Sequence, residues 1–137
     1  IGETGVDEIA HANLEFKNGI KAKVSTAIRE TMKNNAVIIG SKGKIELPDP
    51  WMPGRDGGPY HAKIIINKNE NENEEIVDVK GPEHLFFFEG ELASQCIAKE
   101  KTEPPHPAMT WEDTLGNLKA LDTWREKVNY KLPQDEI

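Results

Sequence analysis

The chain opens with strict alternation. Ala10, Ala12, Leu14 and Phe16 are interleaved with His11, Asn13 and Glu15; Ile20, Ala22, Val24, Thr26 and Ile28 are interleaved with Lys21, Lys23 and Ser25. A period of two marks strands with one buried face, so residues 9–28 are predicted to form a hairpin. Matching the faces sets its loop. A two-residue Asn18-Gly19 loop puts Lys17 opposite Ile20 and mixes apolar with polar positions. A three-residue loop, Lys17-Asn18-Gly19, puts Phe16 opposite Ile20, Leu14 opposite Ala22 and Ala12 opposite Val24, and keeps one apolar face. Gly19 then takes the left-handed bulge position.

Two further hairpins follow. Asn35–Gly40 and Lys44–Leu47 flank a glycine-bounded turn. The same face-matching predicts a Ser41-Lys42-Gly43 loop that pairs Ile39 with Ile45 and Val37 with Leu47, with Gly43 at positive φ. Pro48 and Pro50 stop this ladder, because neither donates an amide hydrogen. Residues 48–59 read as a Pro- and Gly-rich loop containing Trp51. Tyr60–Lys68 places Ala62, Ile64 and Ile66 on one face and Ile65 on the other; Asn69–Asn73 is a polar turn, and Glu75–Lys80 returns.

Past residue 80 the period changes. Leu85, Phe88, Leu92 and Cys96 recur at three and four, a helical stripe that Gly81-Pro82 would open with proline in the first turn. Lys101–Ala108 is a Pro-rich linker. Thr110 and Asp113 then offer a cap for a second helix carrying Trp111, Leu115, Leu118, Leu121, Trp124 and Val128, with Pro133 as its outer limit. Strands in hairpins followed by helices predict an α+β fold: an open, largely antiparallel β-sheet with helices packed on one face, in a single domain spanning 1–137.

Composition narrows the function. A content of 36% hydrophobic and 30% charged residues suits a globular chain. No apolar run approaches the roughly 20 residues that span a bilayer, so no membrane partner is expected. A net charge of −7 argues against a nucleic-acid partner. The lone Cys96 excludes an intrachain disulfide and fits a reducing, cytoplasmic setting. The chain begins Ile1-Gly2-Glu3 without methionine, so it is expected to start inside a longer protein.

Chemistry-bearing motifs are sparse. No Gly-x-Gly-x-x-Gly follows a strand, so no cofactor is expected to bind this chain alone. The four histidines, His11, His61, His84 and His106, have no metal-ligand spacing, and no metal site is expected. Gly40-Ser41-Lys42-Gly43 looks like the Gly-x-x-Gly loop of a KH domain, but its β-branched flanks and Pro48-Asp49-Pro50 favour strands.

Taken in order, Leu14-Glu15-Phe16-Lys17-Asn18-Gly19, Val37-Ile38-Ile39-Gly40-Ser41-Lys42-Gly43, Leu47-Pro48-Asp49-Pro50-Trp51, Met109-Thr110-Trp111-Glu112-Asp113 and Leu121-Asp122-Thr123-Trp124-Arg125 carry a resemblance. They resemble the C-terminal domain of the glucose–fructose oxidoreductase/inositol dehydrogenase/MocA family. The Pro-Trp-x-Pro step and Lys131-Leu132-Pro133-Gln134-Asp135 look most like its dimeric dihydrodiol dehydrogenase branch. The resemblance implies a substrate-binding and oligomerisation domain of an oxidoreductase, with NAD or NADP bound elsewhere in the parent enzyme. It implies a sugar, polyol or diol substrate and a homodimer formed through a sheet face. The family's catalytic Lys and Asp/His pair have no counterpart here, so no catalytic residue is assigned and the isolated chain is expected to be inactive.

The residue carried over is Trp51, whose ring either lines the substrate pocket or anchors its own loop. Arg55 and His61 are candidates for polar contacts to substrate. Phe86 and Phe87 face the pocket or complete the core. The competing reading is a non-enzymatic binding or oligomerisation scaffold; a glycine fingerprint and a Glu-Lys-Pro motif upstream would decide for the enzyme.

Overall fold

The structure is a computed structural model and describes residues 1–53, 59, 61–69 and 74–132. Six strands and two helices follow in the predicted order: β1 (Ile9–Glu15), β2 (Lys21–Ala27), β3 (Asn35–Gly40), β4 (Gly43–Pro48), β5 (His61–Lys68), β6 (Glu75–Lys80), α1 (Leu85–Ala98) and α2 (Trp111–Lys127). All pairings are antiparallel, and both sheets are open: a β1-β2 ribbon and a four-stranded β3-β4-β5-β6 sheet. The fold is α+β. The described residues fall into two compact units, 1–32 with 103–137 and 33–102.

In the first unit, the β1-β2 register is the predicted one. Ala12 faces Val24 and Leu14 faces Ala22. The Phe16 amide donates to Ile20 O at 2.9 Å, and Gly19 has φ 83°. The helix α2 begins at a complete capping box: Asp113 N donates to Thr110 Oγ1 (3.2 Å), and Thr110 N donates to Asp113 Oδ2 (3.0 Å). The Thr110 hydroxyl, donating to Asp113 Oδ2 at 2.7 Å, and then the Thr110 amide hold the Asp113 carboxyl below its ordinary pKa. The helix ends well before Pro133, which lies outside the described residues. Asn129 turns left-handed (φ 55°), Tyr130 N donates to Arg125 O and Asn129 N to Glu126 O, which together form a Schellman cap. Tyr130 Oη, donating to Gly5 O at 3.0 Å, ties this end of the helix to the N-terminal segment of the unit.

In the second unit, the β3-β4 register departs from the expectation by one residue. Ile38, not Ile39, faces Ile45, and Ala36, not Val37, faces Leu47. The loop is two residues, Ser41-Lys42, between the paired Gly40 and Gly43. Gly43 does take positive φ, at 148°. The cause of the shift is the third strand. A Cβ on Gly43 would sit 2.1 Å from Asn67 O of β5, so Gly43 belongs to the ladder and not to the loop. Strands, not helices, flank Gly40-Ser41-Lys42-Gly43, which removes the KH reading.

This register gives the sheet two unlike faces. Ile38, Ile45, Ile66, Ile64 and Val77 share one with Ala36, Leu47, Ala62 and Val79. Val37, Ile39, Ile65 and Ile76 share the other with Lys44, Glu46, His61, Lys63, Asp78 and Lys80. The expected single face of Val37, Ile39, Ile45 and Leu47 is therefore not formed, because the last two lie on the opposite face from the first two.

The helix α1 starts three residues later than the proline suggests, at Leu85 instead of Pro82. Pro82 precedes the N-cap, His84, whose Nδ1 accepts from Phe86 N at 3.3 Å. Leu85, Leu92 and Cys96 are half-buried, while Phe88 of the same stripe is exposed. Its C-terminus repeats the Schellman pattern, with Glu100 left-handed (φ 54°), Lys101 N donating to Cys96 O and Glu100 N to Ile97 O. Among the described residues none is fully buried; the least exposed apolar set lies on the Ile45–Ile66 face. No helix among them is long and apolar enough to cross a membrane.

Candidate substrate-binding residues

Trp51 follows the end of β4 on a braced loop. Asp49 adopts left-handed backbone (φ 47°), and its amide donates to Asn34 O at 2.8 Å. Asn34 Nδ2 in turn donates to the Asp49 carboxylate. Pro48 and Pro50 restrict the chain on either side, and Pro50, Met52 and Pro53 are half-buried. Between them Trp51 is 68% exposed. A braced loop presenting an exposed indole is a ready apolar plate for a ring or a sugar face.

His61 is the first residue of β5. Its Nε2 lies 2.8 Å from Asp78 Oδ1 on β6. The register explains the pair: His61 faces Lys80 and Lys63 faces Asp78, so His61 and Asp78 are diagonal neighbours on one face. The hydrogen bond from His61 holds the Asp78 carboxyl below its ordinary pKa, aided by the charges of Lys80 and Lys63. This orients the imidazole and leaves Nδ1 to accept or donate elsewhere. Among the described residues, no hydrogen bond or ring contact joins Trp51 to His61. Arg55 lies outside the described residues.

A second polar cluster stands on the same sheet face, and sequence reasoning missed it. Glu46 accepts from Lys33 Nζ (2.9 Å) and Asn35 Nδ2 (3.0 Å), with Lys44 Nζ at 3.6 Å. The hydrogen bonds from Lys33 and Asn35 hold its carboxyl below the usual value. No local motif announces this cluster; it needs the strand register. Phe86 and Phe87 are exposed at the start of α1.

The first unit has a site of its own. Ala10 and Thr26 of the ribbon, Leu118, Leu121 and Trp124 of α2 and its C-cap Val128 line an open hollow of about 440 Å³. Leu118, Leu121, Trp124 and Val128 belong to the apolar set that the sequence places on the second helix. The ribbon has only two strands, so the helix covers it incompletely.

The helix N-termini do not fit a dinucleotide. At α2 the capping amides are taken by Thr110 and by Glu103, which accepts from Trp111 N at 2.5 Å, and Glu112 and Asp113 add negative charge. A pyrophosphate would be repelled there. At α1 the His84 side chain already occupies the Phe86 amide.

The described features define an α+β domain of antiparallel sheets without a nucleotide-binding turn. Its relatives supply the class. The chain is 32% identical over 122 residues to the trans-1,2-dihydrobenzene-1,2-diol dehydrogenase of Xenopus tropicalis, covering 85% of this chain and 34% of that protein. Enzymes of the same name from Mus musculus (22% over 142 residues) and Sus scrofa (22% over 141 residues) cover 99% and 98% of the chain and 39% of their own lengths. The chain thus spans between a third and two fifths of the curated relatives it matches, consistent with a C-terminal domain of an oxidoreductase. It belongs to the glucose–fructose oxidoreductase/inositol dehydrogenase/MocA family, beside the dihydrodiol dehydrogenases. No family model and no solved structure matches it.

Proposed function

We propose that this chain is the substrate-binding and subunit-interface domain of an NAD(P)-dependent oxidoreductase acting on the CH–OH groups of diol, polyol or sugar substrates. The observation that carries the reading is the similarity over 85% of the chain to an enzyme named for oxidising a cyclic trans-diol, only 34% of which is covered. The nicotinamide, as hydride acceptor, would be bound by another part of the longer protein, because the residues here do not fit it. The contribution of this chain is binding and orientation. Trp51 stacks on the carbocycle or sugar face, and His61, steadied by Asp78, meets a hydroxyl; Arg55 is a further polar partner. The interface role rests on the uncovered apolar side chains of the four-stranded sheet. The half-buried thiol of Cys96 suits a reducing compartment such as the cytoplasm.

The test uses the longer protein that contains this chain. It should reduce NAD or NADP with trans-diols, polyols or aldoses. Trp51→Ala should lower kcat/KM with Tm nearly kept. A large loss of Tm with normal kinetics in the folded fraction would make Trp51 a loop anchor. Failure to reduce either nucleotide with any of these substrates would favour the scaffold reading.

A further inference from the structure

The chain reaches Trp51 from β4 through Pro48, Asp49 and Pro50. Neither proline has an amide hydrogen, so Asp49 alone among these three can donate from the main chain. Pro48 faces Asn35 in the last pair of the β3-β4 ladder. One step past that pair, Asp49 N donates to Asn34 O at 2.8 Å, and Asn34 Nδ2 donates to the Asp49 carboxylate. Asn34 thus meets Asp49 twice, once through its main chain and once through its side chain. Asp49 has φ 47°, in the left-handed region that a residue with a side chain holds only against a steric cost. The two bonds to Asn34 offset that cost.

We propose that Asn34 is a positioning residue for Trp51: its side chain fixes Asp49 in the left-handed turn and so sets the direction in which the indole is presented. The inference rests on the reading of Trp51 as the plate that stacks on the substrate ring, and it adds the residue that aims the plate. Among the described residues the indole makes no hydrogen bond or ring contact, so the backbone behind it sets where it points. Pro50 has its φ fixed at about −65°. A rotation at Asp49 therefore passes to Trp51 with little damping. Small errors of placement are costly wherever a binding group must meet one face of a ring.

The residues on either side of Asn34 separate the roles. Lys33 and Asn35 both hold Glu46, at 2.9 and 3.0 Å. Those bonds pin the start of β3 to β4 inside the sheet, whereas the Asn34 side chain acts on the turn beyond it. All of these residues, with Trp51, belong to the second unit. Asn34 is not a catalytic residue, since it acts on the substrate only through Asp49 and the indole.

The experiment uses the longer protein that contains this chain, labelled with 5-fluorotryptophan. The fluorine signal of Trp51 is the one absent from Trp51→Phe. Asn34→Ala keeps the main-chain bond to Asp49 and removes the side-chain donor. It should shift or broaden the Trp51 signal and leave those of Trp111 and Trp124, which belong to the first unit, in place. It should lower kcat/KM on cyclic diols about 2- to 12-fold, chiefly through KM, the range that the ring contacts of one aromatic side chain supply. In a Trp51→Ala background it should lower kcat/KM no further, because the plate it aims is gone. Asn34→Ser, which also lacks the amide donor but stays polar, takes the same measurements if Asn34→Ala does not fold. An unmoved Trp51 signal, or an equal loss of kcat/KM in both backgrounds, would overturn the positioning role while leaving Trp51 as the plate. A change in all three signals would mark a general loss of structure and overturn it too. Normal kinetics in Trp51→Ala would overturn the reading of Trp51 as a substrate plate, and this inference with it.

Discussion

The two glycine-bounded hairpins reverse the chain in different ways. The β1-β2 loop is three residues long, closed by Gly19 N donating to Phe16 O at 2.8 Å and by Asn18 Oδ1 accepting from Ile20 N at 3.2 Å. Gly19 has φ 83°, and a Cβ there would meet nothing within 4 Å. The β3-β4 loop is two residues, and its Gly43 has φ 148° with a neighbouring backbone in the space a Cβ would fill. A two-stranded ribbon asks its glycine only for a torsion angle. A strand with a neighbour on each side asks for the torsion and for the absence of a side chain. The same residue type at a similar place thus answers one constraint in one unit and two in the other.

The comparison is tested first at Gly43. Gly43→Ala forces an L-residue into a glycine-only region and drives its Cβ into Asn67 O and Lys68 Cα of β5. Strain and overpacking together should cost on the order of 3–5 kcal/mol. Hydrogen exchange of the β3, β4 and β5 amides reads this for that unit alone. A loss below about 1 kcal/mol would mean that β5 yields readily.

Gly19→Ala meets the torsional cost without the collision. It should destabilise the ribbon by about 1–2 kcal/mol, read from the exchange of β1 and β2 amides. The difference between the two substitutions matters more than either value. Equal losses would show that the close approach at Gly43 carries no energy and would dissolve the comparison.

The same contrast explains which parts of the fold could be read from the sequence. The first register was legible because β1 and β2 have one apolar parity: Ala10, Ala12 and Leu14 against His11, Asn13 and Glu15. In β3 the run Val37-Ile38-Ile39 is apolar at both parities, so Ile45 and Leu47 find apolar partners in either register. The deciding contact is with β5, more than twenty residues away, and no local pattern contains it. The helix ends were obscured for a different reason. Glu100 and Asn129 make left-handed caps without glycine, and His84, not Pro82, sets the start of α1. Among the candidate substrate residues, the proline-braced setting of Trp51 was legible. The Asp78 partner of His61 was not, because it is a cross-strand diagonal that exists only once β5 and β6 are in register.

The smallest expected effect concerns charge. Glu46 accepts hydrogen bonds from Lys33 and Asn35 within the second unit, and these lower its pKa from the ordinary 4.5. A carboxylate whose folded pKa is depressed contributes stability that is fully present above the unfolded value and is lost as pH falls through the folded one. The β3-β4 amides should therefore lose protection as the pH drops below 4.5 and through the lowered folded value. Glu46→Gln should flatten that dependence while leaving the β1-β2 amides as they are, since the partners of Glu46, Lys33, Asn35 and Lys44, all belong to the second unit. The effect is modest because the lysines that face Glu46 are exposed and water screens their charges. Identical acid slopes for the wild type and Glu46→Gln would show that the cluster does not stabilise the sheet. A slope that persists in β3-β4 only with Glu46 intact would give the second hairpin an acid sensitivity in addition to its steric constraint at Gly43.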